Sequence, residues 1–223
     1  MLKLGEKGVI PQIEKDSYAI APHIPCGFVT PELLRKIADV SEKFNAKSIK
    51  ITGAARIAII GLKEEDIDSV WEELGLAKGA AVGLCVRSIR TCPGTTFCKL
   101  GKQDAVGIGM KMDEKYHALQ LPGKFKMAVS GCKLSCAESW VRDIGLIGDR
   151  DGWIVTIGGN VGSQPRIGKE LISGLDDEAA LKAVEDVVKY YKDNAKGSER
   201  LGKMLERVGI ETFELAVKKN LSA

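Results

Sequence analysis

Nowhere in this chain do some 18 apolar residues run without a charge, and the N-terminus, MLKLGEKGVIPQIEKDS, has no uninterrupted apolar core. These absences exclude a membrane-spanning helix and a secretory leader, and a cytoplasmic protein is expected. Strong charge of one sign is also missing. The net charge is +3 with 28% charged residues, which leaves no broad basic footprint, so neither nucleic acid nor a membrane surface is an expected partner. Any anion site must therefore be a local cluster. No internal repeat or low-complexity block is visible, which argues against a solenoid or a disordered tail. What is present is an ordinary soluble composition, 44% hydrophobic over 223 residues, enough for one or two domains with a real core.

The apolar period changes along the chain in a readable order. Residues 18–24 read as a strand, and Thr30-Pro31 supplies an N-cap with proline at the first helical position. Leu33, Ile37, Val40 and Phe44 then recur on one helix face. SIKITG and ARIAIIG, within 48–61, read as adjacent strands. EEDIDSVWEELG reads as a second helix, with Ile67, Val70, Trp71 and Leu74 inward and Gly75 as its stop. GAAVGLCVR, 79–87, reads as a closing buried strand. The order β-α-β-β-α-β is that of a ferredoxin-like split βαβ sandwich, expected over residues 1–80. That order alone implies no function.

Residues 88–165 are rich in Gly and Cys and read as loops wrapped round something. Three amphipathic helices are expected after Asp176, with Leu181, Val184, Val188 and Tyr191 inward in the first. Leu201, Leu205 and Val208 face inward in the second, and Phe213, Val217 and Leu221 in the third. The fold class is α+β, with residues 81–223 as a second, larger module.

Six cysteines in a reducing compartment suggest ligands or core thiols rather than a disulfide framework. Cys92 and Cys98, in TCPGTTFCKLG, cannot converge from a regular element. Six positions turn a helix by about 240°, and in a strand they lie roughly 20 Å apart. The chain must fold back between them, and Pro93-Gly94 provides the reversal. Cys132 and Cys136, in SGCKLSCAESW, are at the spacing of one helical turn. The four could serve a structural zinc, remain core thiols or a disulfide, or hold a four-iron cluster. The wide spacing suits the cluster better than one tetrahedral ion. Cys85 reads as core. Cys26 is ambiguous, His117 reads as a surface residue and His23 as structural.

C-x5-C followed by C-x3-C in SGCxxSC, then DIGLIG, resembles the sirohaem-dependent sulfite and nitrite reductases. The likeness covers almost the whole chain: ITGAARIAIIG resembles the strand pair of the family's ferredoxin-like half, and VRSIRTCPGTTFC with LPGKFKMAVSGC its cofactor module. GGNVGSQPRIG resembles its glycine-rich segment, and ERLGKMLERVG its C-terminal helices. The resemblance implies a sirohaem and a [4Fe-4S] cluster, the latter held by Cys92, Cys98, Cys132 and Cys136, with Cys136 also reaching the sirohaem iron. It implies that Arg56, Arg87, Lys124 and Lys126 meet the anion, and that Arg90, Lys99, Arg142 and Arg166 serve the cofactor's carboxylates. Lys124 and Lys126 alternate round Phe125 and in an extended segment point to one side.

The chain also departs from the family pattern. Lys133-Leu134 stands where many relatives have Pro-Asn. Large assimilatory enzymes carry two copies of the module, whereas this sequence holds one, so a homodimer that completes the site is expected. The C-x2-C-x2-C insertion of some relatives is missing, which implies an external electron donor such as ferredoxin. The expected activity is six-electron reduction of sulfite to sulfide. Nitrite reduction to ammonia is the alternative, and a non-catalytic sirohaem protein for electron transfer or sensing is the reading from another class.

Overall fold

The structure, a computed structural model, describes the backbone of residues 1–221 and the side chains of 1–217. It forms two compact units, residues 1–83 and the chain from Leu84 onward. The first unit holds a four-stranded antiparallel sheet of order β1-β2-β4-β3. Its strands are β1 (Val9–Pro11), β2 (Tyr18–Ile20), β3 (Ser48–Ile51) and β4 (Ile57–Leu62), and its helices α1 (Pro31–Lys43) and α2 (Ile67–Leu74). Thr30 Oγ1 accepts from Leu33 N at 3.2 Å and caps α1. Gly75, at φ 60°, closes α2 in the left-handed conformation that a glycine adopts without penalty.

The core of this unit gathers Val9, Ile20, Ile37, Val40, Ile59, Leu62, Val70, Trp71 and Leu74. Leu33 and Phe44 are partly buried against it, so the expected α1 face is the packed one. Ile59 loses all its exposure, worth about 1.5–3 kcal/mol for such a side chain. Trp71 Nε1 donates to Lys7 O at 2.8 Å and satisfies the indole.

One expected strand lies elsewhere. The run 79–87 does not close this sheet; Val9–Pro11 supplies the fourth strand by pairing with β2, Val9 opposite Ile20. Residues 79–84 are outside any strand, and Val86–Thr91 begins the sheet of the second unit as β5. The glycines at 79 and 83 weaken strand character in the first half of that run, and the alternation that matters starts at Val86.

The second unit is built on a five-stranded mixed sheet of order β5-β6-β7-β8-β9. After β5 come α3 (Gly94–Phe97), α4 (Ala105–Tyr116), β6 (Phe125–Ser130), β7 (Ile144–Asp149), β8 (Gly152–Ile157) and β9 (Lys169–Leu175). About half of the region read as loops is therefore sheet and helix. β5, β6 and β7 run parallel and β8 and β9 antiparallel. Three helices follow, α5 (Asp177–Asn194), α6 (Leu201–Val208) and α7 (Ile210–Leu221).

Asp176 Oδ1 caps α5 by accepting from Ala179 N at 2.8 Å. Val184, Val188 and Tyr191 are buried and Leu181 is half-buried; Leu201, Leu205, Phe213 and Val217 are buried, and Val208 is half-buried. Leu221 lies outside the described side chains. Phe125 stacks on Tyr191 with ring centroids 4.9 Å apart, which docks α5 on the sheet. No helix among the described residues is long and apolar enough to cross a membrane.

Candidate functional site

The parallel pairing of β5 with β6 brings the two cysteine pairs together. Thr91 stands opposite Val129, so the residues that follow both strands leave the sheet at the same end. Cys92 is the first residue past β5, and its N donates to Val129 O at 3.1 Å. Gly131 and Cys132 follow β6 directly, and Gly131 N donates to Cys92 Sγ at 3.1 Å.

The reversal between Cys92 and Cys98 forms as expected. Gly94 adopts φ 53° and opens the single turn α3, and Cys98 N donates to Gly94 O at 2.9 Å. The two cysteine segments then pack backbone on backbone. A Cβ on Gly131 would lie 2.7 Å from Gly94 Cα and 2.8 Å from Gln103 O, so only hydrogen fits there. Lys102 N and Gln103 N both donate to Gly131 O, at 2.7 and 3.1 Å.

Cys132 and Cys136 do not share a helical turn, contrary to their spacing. Ser135 is left-handed at φ 52° and Glu138 at φ 59°, and each ends a tight turn: Ser135 N donates to Cys132 O, and Glu138 N to Ser135 O. Ser130 Oγ accepts from Ala137 N at 3.1 Å and pins the segment to the end of β6. Local side-chain to backbone bonding has displaced the helix.

All six cysteines are free thiols; Cys26 and Cys85 are buried, Cys92, Cys98 and Cys132 half-buried, and Cys136 exposed. Cys85 is core, as expected. No set of three His, Cys, Asp or Glu side chains among the described residues could hold a single metal ion. The soft donor set and the glycine-narrowed cradle, with a backbone N–H on Cys92 Sγ, fit a cluster bound across both segments. His23 and His117 are both half-buried, so His117 is not the surface residue its context suggested.

Beside the cradle lies a group of cations in excess of their counter-ions. Lys124 and Lys126 are half-buried, while Phe125 between them is fully buried, so strand alternation turns the two lysines to the same side. Lys126 is pushed down to about 8 by burial, with Lys124, Arg142, Arg200 and Arg87 adding to the effect. Lys124 is lowered by burial and by Arg87 and Arg200, opposed by Asp143. Burial also lowers Arg87 and Arg142. The two carboxylates here are already engaged. Asp143 takes a two-pronged bond from Arg200, Nε at 2.8 Å and Nη2 at 2.6 Å. Glu138 is shared by Arg90, at 2.9 Å, and Arg142.

Among the described residues neither Lys124 nor Lys126 forms an ion pair, and the buried Arg142 Nε has no hydrogen-bond acceptor. Unmatched buried donors call for an anion. Arg87, Lys124, Lys126 and Arg142 are thus brought together, with Arg90 joined through Glu138. Lys99 stays exposed beside Cys98. Arg166 is held elsewhere, forked onto Glu206 at 2.9 and 3.1 Å on α6, beside a cavity of about 440 Å³ lined by Ile157, Leu205 and Ile210. Arg56 is buried in the first unit, where its N donates to Thr52 Oγ1 at the β3–β4 turn.

Reading the sequence missed Arg200, Asp143 and Glu138. Asp143 has no exposure; its Oδ2 also accepts from Lys126 N at 2.8 Å, and its own N donates to Lys126 O. It thereby ties the lysine strand to the start of β7. The 57-residue separation from Arg200 left no local signal.

The model of the nitrite and sulphite reductase 4Fe-4S domain matches residues 82–223, and that of the nitrite/sulfite reductase ferredoxin-like half domain matches 10–77. An assimilatory-type sulfite reductase of Nitratidesulfovibrio vulgaris is 42% identical over 211 residues, covering 95% of this chain and 97% of that protein. A nitrite reductase [NAD(P)H] of Bacillus subtilis is 40% identical over 199 residues, 89% of this chain but 25% of that protein. In fold, the chain matches dissimilatory sulfite reductase I with TM-score 0.80 at 16% identity, covering 91% of this chain and 69% of the other. It matches the Mycobacterium tuberculosis NirA protein with TM-score 0.79 at 18% identity, covering 92% and 40%. Family models over both units and a 42% identical relative of nearly the same length place the chain in the sirohaem-dependent nitrite and sulfite reductase family, whose cofactors are sirohaem and a [4Fe-4S] cluster.

Proposed function

We propose that this oxidoreductase reduces sulfite to sulfide with six electrons drawn from a separate donor protein. The observation that carries the reading is the juxtaposition in one unit of four free thiols and a cation group whose two lysines form no ion pair among the described residues. Sulfite is favoured over nitrite because the chain spans 97% of the sulfite reductase it matches and a quarter of the nitrite reductase.

Cys92, Cys98, Cys132 and Cys136 hold the cluster. Cys136 is the most open of the four and would be the one that also serves the sirohaem. When bound, the coupled centre supplies stored electrons and an iron on which the anion is reduced. Arg142 and Arg90 would hold the cofactor's carboxylates. Arg87, Lys124 and Lys126 bind the anion and offset its charge as oxygen leaves as water. Lys126, close to neutrality in its titration, donates a proton to the departing oxygen and recovers it from solvent. Arg166 and Lys99 are the outlying candidates for cofactor carboxylates.

The basic residues of one protomer complete a neighbour's site in a two-fold dimer. Light scattering at assay concentration tests this, and a fully active monomer refutes it. The cytoplasm, which keeps such thiols reduced, is the proposed compartment.

The decisive experiment reconstitutes the protein with sirohaem and iron-sulfur and compares sulfite and nitrite under a chemical reductant. Sulfide release from a high-spin haem is the expected result. Ammonia from nitrite without sulfide overturns the choice of substrate, and a low-spin haem with no turnover overturns the enzymatic reading.

A further inference from the structure

The loop between α5 and α6 is fastened to the segment that carries the two lysines. Ser198 N donates to Pro122 O at 2.8 Å. A Cβ on Gly123 would run into Glu199 O and the Tyr191 hydroxyl, so the two stretches meet with no side chain between them. Glu199 is itself fixed, forked by Arg207 at 2.9 and 2.7 Å and accepting from Lys196 N at 2.9 Å. The loop is thus anchored along its length, and it delivers Arg200 to the start of β6.

Asp143 joins that arginine to the lysine strand. Its buried carboxylate takes Nε and Nη2 of Arg200, Oδ2 also accepts from Lys126 N, and Asp143 N returns a bond to Lys126 O. Gly158 N donates to Asp143 O at 2.9 Å and holds the residue from the end of β8. A single carboxylate therefore separates the guanidinium from the main chain of Lys126.

Lys126 is met by Lys124 on its own strand, Arg87 on β5, Arg142 and Asp143 ahead of β7, and Arg200 ahead of α6. Phe125 packs on Tyr191, which turns both lysines away from α5. Glu138 is taken up by Arg90 and Arg142, and Asp143 by Arg200 and main-chain N–H. Arg200 differs from the other cations. Its fork is filled by Asp143 rather than offered to an anion, yet its charge bears on Arg87, Lys124 and Lys126 alike. A fixed positive charge disfavours the protonated form of a neighbouring lysine.

We propose that Arg200 is a positioning residue of the reaction: held by Asp143, it fixes a positive charge beside the anion-binding lysines and keeps Lys126 ready to release its proton. The inference rests on the reading of Lys126 as the proton donor. Arg200 touches neither substrate nor cofactor in this role and acts through Lys126.

The test follows Lys126 in two ways. In the purified full-length chain, competitive acetylation over about pH 6 to 10 gives the midpoint at which Lys126 loses its proton. Peptide mass spectrometry reads the label, with fragment ions separating Lys124 from Lys126. In the holoprotein, the alkaline limb of kcat/KM for sulfite reports the same transition under turnover. Arg200→Met should move midpoint and limb up by about half a pH unit or more, and Arg200→Lys, which keeps the charge, should hold both near the parent. Asp143→Asn still accepts from Lys126 N but leaves Arg200 without its counter-ion, so it should move both down. Labelling of Lys189, exposed on α5, should be the same in all.

The opposite signs separate charge from packing, because general loosening would solvate Lys126 and raise its midpoint in both variants. An upward shift in Asp143→Asn, or an unmoved midpoint in Arg200→Met, overturns the proposal. So does a limb that stays fixed while the midpoints move, which would leave Arg200 without a part in the reaction. A parent holoprotein that releases no sulfide refutes the proposed function instead, and the acetylation midpoints are read independently of it.

Discussion

Replacing Arg200 by methionine keeps a long apolar stem and removes the guanidinium that Asp143 faces. The structure sets the size of the effect. Asp143 has no exposure, and two of its bonds, at 2.8 and 2.6 Å, come from Arg200, which retains only a fifth of its own side-chain exposure. Breaking a buried pair from one side costs about 3–5 kcal/mol. The partial exposure of Arg200 places this case near 3 kcal/mol, or roughly 6–12 °C in the thermal midpoint of a chain this size.

The pH dependence gives the prediction its edge. Burial raises the Asp143 carboxyl above its ordinary value, and Arg200 is the main opposing influence. Without Arg200 the carboxyl rises further. A raised acid takes up a proton on folding, so its penalty is absent below the unfolded value, grows as pH climbs through the folded value, and is complete above it. The stability gap between parent and Arg200→Met should therefore be larger at about pH 8 than at about pH 5. Paired unfolding curves at the two pH values measure it. Arg200→Lys, which restores charge without the fork, should recover part of the loss. A gap that is the same at both pH values, or below about 1 kcal/mol at the higher one, refutes the assignment of Asp143 and Arg200 as the buried tie behind the lysine strand.

Lys126 titrates near 8 and works in its charged form, so kcat/KM for sulfite should fall as pH rises through that value; a limb that survives unchanged in Lys126→Gln would defeat the proton-donor role. Gly131→Ala forces a Cβ to within 2.7 Å of Gly94 Cα. It should cost about 1–3 kcal/mol and lower the iron and labile sulfide content of the purified protein, whereas full cluster occupancy would show that the two segments can separate. Cys136→Ser should lose the cluster and its coupling to the haem together, and retention of both spectra excludes the bridging role.

The first unit was legible where local rules decide. Thr30-Pro31 starts α1 and Gly75 ends α2 because capping and left-handed geometry are properties of a few adjacent residues. The cysteine reversal at Pro93-Gly94 was readable for the same reason. Three features were not. Val9–Pro11 is too short to carry a period, so its role as the fourth strand was invisible. The parallel strands carry Arg87, Ser88 and Arg90 on β5 and Lys126 on β6, and these polar side chains, needed by the site, broke the continuous apolar run that usually announces a buried parallel strand. The left-handed Ser135 overrode a spacing that looked helical. Arg200 and Asp143 meet only in the folded chain, and nothing in either neighbourhood announces the partner.

The parallel pairing of β5 with β6 carries a kinetic consequence. Cys92 and Cys132 become neighbours only after Val86–Thr91 has aligned with Phe125–Ser130 across the whole of α4. Such non-local pairing closes a loop before contacts reward it and is slow. Neither cysteine segment taken alone can present four thiolates, so nascent chain cannot capture the cluster piecemeal. Acquisition of the inorganic core must follow the assembly of the sheet, and the rate at which refolding protein takes up iron and sulfide should report the closing of that strand pair rather than the chemistry of the thiols.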